Sequence, residues 1–588
     1  MRHSQHYRYN LRPKRRKSRL KLFCIVAFTA TILIAGVFAW LPSTRHITPT
    51  WRTIKHPIFI HGELMKYEAK GEGKSLKLPL PVIRDYIDPS IIYEEPSNSV
   101  IMTTRRDLVQ LTMDHTKAKR NNKSFNLDTA PTTIDEIQYI PVSLLEELYG
   151  IEVRISTTTG ALLVMKAGEE IQAATLIAED SNAGANSKPS SKDSKAKVPL
   201  RERESIHSPI VEDVDSDTTL RILSSKGDWS YVQSPAGYIG YIPKKNLSVI
   251  QAKRIPNLAK LSDPAMEKWA GKKINMTWEA VYQSPIKPTQ VGTLPGVNVV
   301  SPTWFQLKDG EGNVQSKADL EYVTWAHKQG MQVWGLYSNG FNPDWTTTAL
   351  SSFEHRLHSI TQLIQQAKLY KLDGLNLDFE NVYTKDKDNV TQFVRELMPM
   401  AKAEGLIISM DVTPKSNSEM WSKFLDRGPL GQSLDYMIVM AYDEHWAASP
   451  IAGSVASLPW VKTVTERILT QDHVPADKLI LGIPLYARIW SETTKDGKTN
   501  MSSKAVGMNK TQEIIKKYAL HPTIDHQSGQ NYVEYTEDGA LKKIWLEDAL
   551  SLKSRVALAK DLKLAGVASW TRALASTEAW DALAEIIQ

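Results

Sequence analysis

The feature that most constrains the fold is a regular alternation of apolar strand-like runs with helical stretches between residues 270 and 588. Residues 353–369 and 388–403 are examples of the helical stretches. Strands that alternate with helices form βαβ units and a parallel sheet, and eight such units close into a (β/α)8 TIM barrel. We therefore predict an α/β fold whose barrel strands are 274–281, 297–302, 331–338, 372–380, 405–414, 434–443, 479–488 and 565–572.

The connection between the last two of these strands is much longer than the others. Residues 490–545 occupy it, and they include the segment NYVEYTEDGALKKIWL, whose two halves alternate around a Gly-containing turn. This pattern is typical of a β-hairpin. The sequence thus predicts an insertion with its own hairpin between barrel strands seven and eight.

The N-terminal part of the chain has the pattern of a membrane-directed segment. Residues 22–41 are apolar and uncharged, and about 20 such residues cross the ~30 Å hydrocarbon layer as a helix. Nine Lys and Arg residues lie between residues 2 and 21, and such charge stays on the cytoplasmic side. We expect a cytoplasmic basic segment 1–21 and a transmembrane helix 22–41, with the rest of the protein outside the cell.

A cleaved signal peptide is the alternative, because Val37 and Ala39 supply the small residues of a cleavage site. The protein is then secreted, so both alternatives export most of the chain. A basic run can also indicate nucleic-acid binding. Since this one adjoins an apolar segment, membrane topology explains it better, and we expect no nucleic-acid partner.

Cys24 is the only cysteine among the 588 residues. A single cysteine excludes an intramolecular disulfide and any Cys-based metal site. The His residues show no metal-ligand spacing, and no Gly-rich phosphate-binding loop occurs. The sequence therefore predicts neither a metal nor an organic cofactor.

Residues 60–167 are predicted to form a mixed α+β module. One copy of a repeated pattern begins at Pro81 and another at Pro141, and each runs from Pro-Val through a helix-like stretch into two strand-like runs. Such a repeat indicates a duplicated supersecondary unit. The pattern resembles the amine-oxidase-like stalk domains of bacterial surface proteins, and no residue in it has the pattern of a catalytic group.

Residues 168–205 are predicted to be a flexible linker, because the segment SNAGANSKPSSKDSKAKV has almost no large apolar residues. Residues 206–249 follow with short alternating runs bounded by Gly and Pro, which indicate strands. Their order Arg-x-Leu, Gly-Asp-Trp, Gly-Tyr-Ile resembles bacterial Src-homology-3-like domains, small β-barrels that often hold cell-wall peptide or glycan. Trp229, Tyr238 and Tyr241 form either the core of this small barrel or its ligand contacts.

The predicted strand 372–380 carries the candidate chemistry. Its alternation places Gly374, Asn376, Asp378 and Glu380 on one face and the apolar residues on the other. In a barrel this polar face points into the interior near the C-terminal end of the strand, where barrel enzymes build their sites. Because unpaired buried carboxylates are costly, the line indicates catalysis, with a structural ion network as the alternative.

The spacing of Asp378 and Glu380 limits the mechanism. Residues two apart on one strand lie about 6.6 Å apart, on the same side of a bound sugar. An ordinary retaining glycosidase needs its acid and its nucleophile on opposite sides of the scissile bond. The pair fits a reaction in which Glu380 protonates the leaving oxygen and Asp378 steers a nucleophile that the substrate carries.

The segment DGLNLDFE, residues 373–380, resembles the Asp-Gly-x-Asp-x-Asp-x-Glu motif of glycoside hydrolase family 18, the chitinase-like enzymes. The segment MAYD, residues 440–443, resembles the Met-x-Tyr-Asp of that family's sixth barrel strand. Trp570 matches the tryptophan of its eighth strand. The likeness covers residues 270–588.

The resemblance implies a substrate-assisted reaction on glycans with N-acetylated amino sugars. Glu380 is then the acid and base, Asp378 orients the 2-acetamido group and stabilises the oxazolinium ion, and Tyr442 hydrogen-bonds the acetamido group. Asp373 and Gly374 belong to the motif as structural residues. The positions that the resemblance implies for substrate binding are Asn376, Met440, Asp443, Arg488 and Trp570.

Asn376 departs from the family's pattern, which usually has Asp at this position. An amide cannot share a proton with Asp378 or repel it, as a second carboxylate does. The rest of the motif keeps its acids.

Residues 440–461, MAYDEHWAASPIAGSVASLPWV, resemble a bacterial subgroup associated with spores and cell walls. We therefore expect a glycosidase of the chitinase or N-acetylglucosaminidase type that acts on peptidoglycan or chitin oligomers. Its expected partners are the glycan, the cell wall through the Src-homology-3-like domain, and the membrane through residues 22–41.

Two alternatives remain open at this point. One is an inactive glycan-binding protein, whose usual mark is a replaced acid at the position that Glu380 occupies here. The other is a structural wall-anchoring protein with the barrel as scaffold, which has no need of Tyr442 and Trp570. Four further aromatic residues either stack on sugar faces or belong to the core: Trp304, Trp345, Trp446 and Trp490.

Overall fold

The structure is a computed structural model that describes residues 23–29, 41–177, 196–258, 263–495 and 498–588. Most of the predicted membrane segment 22–41 lies outside these residues. Those described in it include a short helical stretch. Among the described helices, none combines the length and apolar character that crossing a bilayer requires.

The chain packs as two compact units, each assembled from two stretches of sequence. One unit consists of the described residues within Met1–Ile87 and Thr133–Ala259, and the other of those within Asp88–Thr132 and Lys260–Gln588. The predicted module 60–167 is therefore divided between them.

A closed parallel barrel forms the centre of the second unit. Each strand pairs in parallel with its neighbours, and the second strand pairs with the third through Val299 and Gln332, which closes the ring. The prediction of eight barrel strands is confirmed. They are β1 (Ile274–Glu279), β2 (Val299–Pro302), β3 (Gln332–Ser338), β4 (Gly374–Asp378), β5 (Ile407–Val412), β6 (Tyr436–Met440), β7 (Leu479–Pro484) and β8 (Gly566–Trp570).

Amphipathic helices pack on the outside of this barrel. The longest begins after Ser352, whose side chain accepts a hydrogen bond from the backbone N–H of His355 and so caps the helix. It buries Ile360, Leu363 and Ala367, which recur at helical spacing and pack against the strands. The helices of this layer are Leu320–Lys328, Pro343–Ser351, Phe353–Tyr370, Lys387–Ala403, Arg427–Ser433, Leu458–Gln471, Ala549–Asp561 and Thr577–Ala584.

The predicted insertion between β7 and β8 is a separate antiparallel sheet with the helix Met508–Lys517. Its hairpin turns at Asp538 and Gly539, both in the left-handed region of φ that two-residue hairpin loops require. The predicted hairpin is confirmed. The strands of the sheet are Tyr486–Lys495, Lys498–Gly507, Thr523–Asp525, Gln530–Glu537 and Ala540–Trp545.

A second antiparallel sheet, from Asp88–Thr132, packs on the barrel helices, which explains why the predicted module divides. Its buried Ile101 and Leu108 belong to the same hydrophobic core as the barrel. Buried Arg356 donates hydrogen bonds of 2.8 Å to both carboxylate oxygens of Glu396 and one of 3.4 Å to Glu94 of this sheet. The strands are Ile92–Glu94, Ser99–Thr103, Leu108–Thr112, Lys117–Arg120 and Lys123–Asn126.

The first unit contains the repeated strand–helix pattern. Strand Lys77–Pro79 leads into helix Leu80–Tyr86, and strand Ile137–Pro141 leads into helix Val142–Tyr149. The two strands pair antiparallel with each other. A neighbouring four-stranded sheet consists of Pro57–Ile60, Glu63–Glu68, Glu152–Ile155 and Leu162–Met165.

The predicted linker 168–205 is too long at both ends. Residues 178–195 lie outside the described part of the chain, but Glu170–Thr175 and Lys197–Arg201 are strands, because their alternating Ala174, Val198 and Leu200 enter a hydrophobic core. The small β-domain therefore starts before the predicted residue 206. Its other strands are Ile210–Asp215, Thr219–Lys226, Trp229–Gln233, Ile239–Pro243 and Gln251–Arg254.

Candidate active site

A cavity of about 640 Å³ opens at the C-terminal end of the barrel strands. The structure brings six of the sequence-predicted site residues together along its wall. They are Asp378, Glu380, Met440, Tyr442, Asp443 and Trp570.

Strand β4 positions the two acids by its alternation. Leu375 and Leu377 point outward into the helix-covered core and are fully buried, so Asp378 must face the interior. Asn339, directly after β3, holds Glu380 just beyond the end of the strand. Its amide donates to the backbone oxygen of Glu380 at 2.8 Å, and its side-chain oxygen accepts from the backbone N–H of Glu380 at 3.1 Å. Asn339 was not predicted from the sequence, and it contacts the end of β4 from the loop after the neighbouring strand β3.

The buried environment favours a protonated Glu380. Burial, followed by the charge of Asp378, raises the pKa of Glu380 to about 9. Burial also raises the pKa of Asp378, and a hydrogen bond from Glu380 partly offsets this. Within the described residues, the Oδ1 atom of Asp378 is buried without a hydrogen-bond partner. The site thus holds a proton donor beside a second acid that lines the cavity.

Asn376 lies one step deeper in the barrel and is fully buried. Its side-chain oxygen accepts from Trp278 Nε1 at 2.9 Å and from Ser301 Oγ at 3.1 Å. Its amide nitrogen donates to Ser409 Oγ at 3.1 Å and to Asp411 Oδ1 at 2.8 Å. Asn376 is not on the cavity wall, whereas Asp411 is, and sequence analysis missed Asp411.

Asp443 joins the end of β6 to the insertion. Its Oδ1 atom accepts from the Tyr486 hydroxyl at 2.7 Å and from the Arg488 guanidinium at 3.1 Å. Burial raises the pKa of Tyr442 well above its usual value, so its hydroxyl remains a hydrogen-bond donor. Trp570, at the end of β8, packs edge-on against Trp278 with ring centroids 5.8 Å apart. These contacts hold Asp443 and Trp570 in place along the cavity wall.

Residues 309–574 match the family model described as "Glycosyl hydrolases family 18". The barrel is a family 18 glycosyl hydrolase domain. The predicted glycoside hydrolase class is thereby confirmed.

Named relatives of the family 18 domain share about half of this chain. The chain is 28% identical over 299 residues to "Uncharacterized glycosylase YvbX" of Bacillus subtilis, which covers 49% of this chain and 84% of that protein. It is 26% identical over 313 residues to "Cortical fragment-lytic enzyme" of Bacillus anthracis, and the alignment covers 51% of this chain and 71% of that protein. The crystal structure of the Bacillus cereus spore cortex-lytic enzyme SleL aligns at a TM-score of 0.49 with 20% identity, over 64% of this chain and 90% of that one.

Two further family models match the chain before the family 18 domain. Residues 61–164 match the "Copper amine oxidase N-terminal domain" model, and residues 196–248 match the "Bacterial SH3 domain" model. Both predicted resemblances are confirmed. In the described residues, no group of three or more His, Cys, Asp or Glu side chains is arranged to hold a metal ion.

Two motif residues of the family 18 domain lie away from the cavity and act on the fold. Asp373, at the base of β4, accepts hydrogen bonds from the backbone N–H of Val333 at 2.9 Å and faces His327 Nε2 at 2.8 Å. Gly374 has no room for a side chain, since an added Cβ atom would lie 2.6 Å from the Ile407 carbonyl oxygen.

The four aromatic residues proposed for sugar stacking have different positions. Trp304 and Trp490 are buried, so the core interpretation holds for them, and Trp490 donates to the Gly453 carbonyl oxygen at 2.8 Å. Trp345 is 41% exposed but does not line the cavity. Trp446 is 58% exposed and does line it.

Other aromatic residues of the family 18 domain line the cavity and were missed. Trp421 and Phe341 are partly exposed and lie in loops that follow β5 and β3. Trp278, Trp460 and Tyr486 also line the cavity. The positions of Phe341 and Trp421 after barrel strands could have identified them from the sequence, because loops at that end of a barrel build the site.

The aromatic residues of the small β-domain also differ in how they are packed. Tyr238 packs against the hydrophobic cores of the first unit, with its ring centroid 5.1 Å from that of Trp51. Tyr241 is half-buried and lies 4.8 Å from the ring of Tyr231. The core interpretation therefore applies to Tyr238, while Trp229 and Tyr241 stay partly accessible.

Proposed function

We propose that this protein is an exported, membrane-tethered glycosidase that hydrolyses β-linked glycans containing N-acetylglucosamine. The observation that carries the proposal is the placement of Glu380, whose pKa burial and the charge of Asp378 raise to about 9, just beyond the end of β4 and beside the unpartnered buried oxygen of Asp378. A carboxylic acid at that position can donate a proton to a leaving glycosidic oxygen. The Asp378 oxygen can accept the N–H of an acetamido group placed between them.

The proposed reaction uses the substrate's acetamido oxygen as the nucleophile. Glu380 protonates the leaving oxygen, while Asp378 and the Tyr442 hydroxyl hold the acetamido group against the anomeric carbon. The oxazolinium ion that forms is cationic, and the neighbouring carboxylates stabilise it. Water then opens it with Glu380 as the base, so the configuration at the anomeric carbon is retained.

The remaining site residues bind the sugar in this proposal. Trp570 forms the floor under the ring, and Met440 packs beside it. Asp443, oriented by Arg488 and Tyr486, accepts hydrogen bonds from sugar hydroxyl groups.

Peptidoglycan is the favoured substrate, with chitin oligomers as the related choice. The name of the Bacillus anthracis relative, a cortical fragment-lytic enzyme, supports a cell-wall glycan. The bacterial Src-homology-3-like match at residues 196–248 supports contact with the wall, and the partly accessible Trp229 and Tyr241 supply aromatic surface for it.

Incubation of purified residues 42–588 with insoluble peptidoglycan and with chitin oligomers tests the proposal. We expect soluble fragments whose new reducing ends are N-acetylglucosamine, read by mass spectrometry. The protein should also pellet with peptidoglycan. Pelleting without any fragment from either substrate would contradict the proposed hydrolysis and favour a glycan-binding protein.

The charge asymmetry around residues 22–41 supports the proposed outside location of the catalytic domain. Protease added to intact cells should cut near Ser190, within the low-complexity segment, and leave the N-terminal fragment in the membrane fraction. A cytoplasmic protein probed in the same sample serves as the control for lysis. Cleavage only after lysis would contradict the topology. Release into the medium of a protein that lacks residues 1–39 would support the secreted alternative.

A further inference from the structure

Asp411 of β5 stands beside Asp378 of β4 on the inner face of the barrel. The register pairs Asn376 with Ser409 and Leu377 with Met410, so Asp411 is level with Asp378. Neighbouring strands lie about 4.8 Å apart. Asp411 is 2% exposed, yet it lines the cavity that holds Glu380. A third buried acid therefore adjoins the reacting pair from the next strand.

The orientation of Asn376 is fixed by its neighbours. An indole N–H only donates hydrogen bonds, so the atom of Asn376 that lies 2.9 Å from Trp278 Nε1 must be the oxygen. The amide nitrogen consequently faces Ser409 and Asp411, which it reaches at 2.8 Å. Asn376 is thus a fixed donor to the carboxyl group of Asp411.

We propose that Asp411 is a positioning residue of the reaction, which supplies from β5 the second carboxyl group that Asn376 does not supply from β4. The amide on β4 and the acid on β5 are joined by a hydrogen bond of 2.8 Å. The inference rests on the proposed function, because it concerns the charge that surrounds the same substrate group.

The neighbours of Asp411 explain what its charge does. The titratable groups that face it are Asp378 and Glu380 from β4 and Tyr442 from the end of β6. Carboxyl groups this close do not all ionise together, so they share protons and titrate as a set. Burial and the charge of Asp378 also raise the pKa of Asp411, so Asp411 holds a share of these protons. When Asp411 ionises, its charge helps to keep the proton on Glu380 and stabilises the positive oxazolinium ion.

Asp411→Asn keeps the shape and removes a group that can ionise. We expect kcat to fall at least about tenfold and the basic limb of the pH profile to move to lower pH by on the order of one unit, because Glu380 loses its proton more easily. Ser409→Ala is the matched control, since it removes the other acceptor of the Asn376 amide without removing a charge. It should leave the position of the basic limb unchanged.

A double variant that moves the acid to β4 and the amide to β5 gives a sharper test. Asn376→Asp alone places two carboxyl groups within hydrogen-bond distance, so we expect lower activity and a lower melting temperature at neutral pH. The double variant Asn376→Asp with Asp411→Asn restores one acid and one amide, with Trp278 and Ser301 donating to the new carboxylate. Its kcat, basic limb and melting temperature should all return toward those of the original protein.

Two results would overturn the inference. One is an unshifted basic limb in Asp411→Asn, and the other is a double variant no better than the worse single variant. If the unmodified protein cleaves no N-acetylated glycan, the proposed function fails instead. The melting temperatures of the four proteins then still decide whether Asn376 and Asp411 act as an exchangeable pair, because they need no turnover.

Discussion

Glu380→Gln should lower kcat on N-acetylated glycan by about 10²- to 10⁴-fold, the usual contribution of a general acid. The amide has nearly the same shape but holds no proton that it can give to the leaving oxygen. Contacts with Asp443, Tyr442 and Trp570 persist, so the variant should still bind the substrate. Product release followed by mass spectrometry measures the first effect, and equilibrium binding of an uncleaved oligomer measures the second.

Glu404→Gln is the control for this substitution. Glu404 is exposed and pairs with Lys368 at 3.0 Å on the outside of the barrel, so its activity should match that of the original protein. Near-normal turnover in Glu380→Gln would remove Glu380 from the role of proton donor.

The pH profile carries the same information without a substitution. Burial and the charge of Asp378 raise the pKa of Glu380, so the acid form persists at neutral pH. Activity that needs this form is present below the raised pKa and is lost as the pH rises through it. The basic limb should therefore lie well above the ordinary range of a glutamate.

Periodicity predicted the barrel because the apolar runs have to repeat wherever strands and helices alternate. The same rule placed Asp378 and Glu380 inward, since a strand has only two faces. Periodicity did not predict how the sheet of Asp88–Thr132 packs. This sheet lies on helices more than 200 residues further along the chain, such as Phe353–Tyr370. Contacts between such distant segments leave no local pattern in the sequence.

The missed site residues differ in how far they could have been found. Asp411 alternates with Ser409 on β5, so the inward polar face of that strand was open to the same argument as β4. Asn339 could not be recognised, because its role depends on the approach of the β3 loop to Glu380. The core positions of Trp304, in a loop, and of Trp490, in a strand of the insertion, likewise follow from tertiary packing, which local composition does not determine.

Asp378→Asn should lower kcat by about 10²- to 10³-fold, comparable to the loss of one group that stabilises charge in a transition state. An amide stabilises the positive oxazolinium ion less than a carboxylate does, and it accepts a weaker hydrogen bond from the acetamido N–H. Asp561→Asn, an exposed position at the end of helix Ala549–Asp561, is the matched control and should be neutral.

The substrate decides between this mechanism and a protein nucleophile. If the acetamido oxygen attacks the anomeric carbon, replacing the acetamido group by a free amine should stop cleavage at that sugar even with Asp378 and Glu380 intact. The product formed from the acetylated substrate should keep the β configuration, which proton NMR detects before mutarotation. An inverted product, or normal cleavage beside a de-acetylated sugar, would exclude substrate assistance. Glu380 would remain the acid, because the leaving oxygen is protonated whether the nucleophile is the acetamido group, a protein side chain or water.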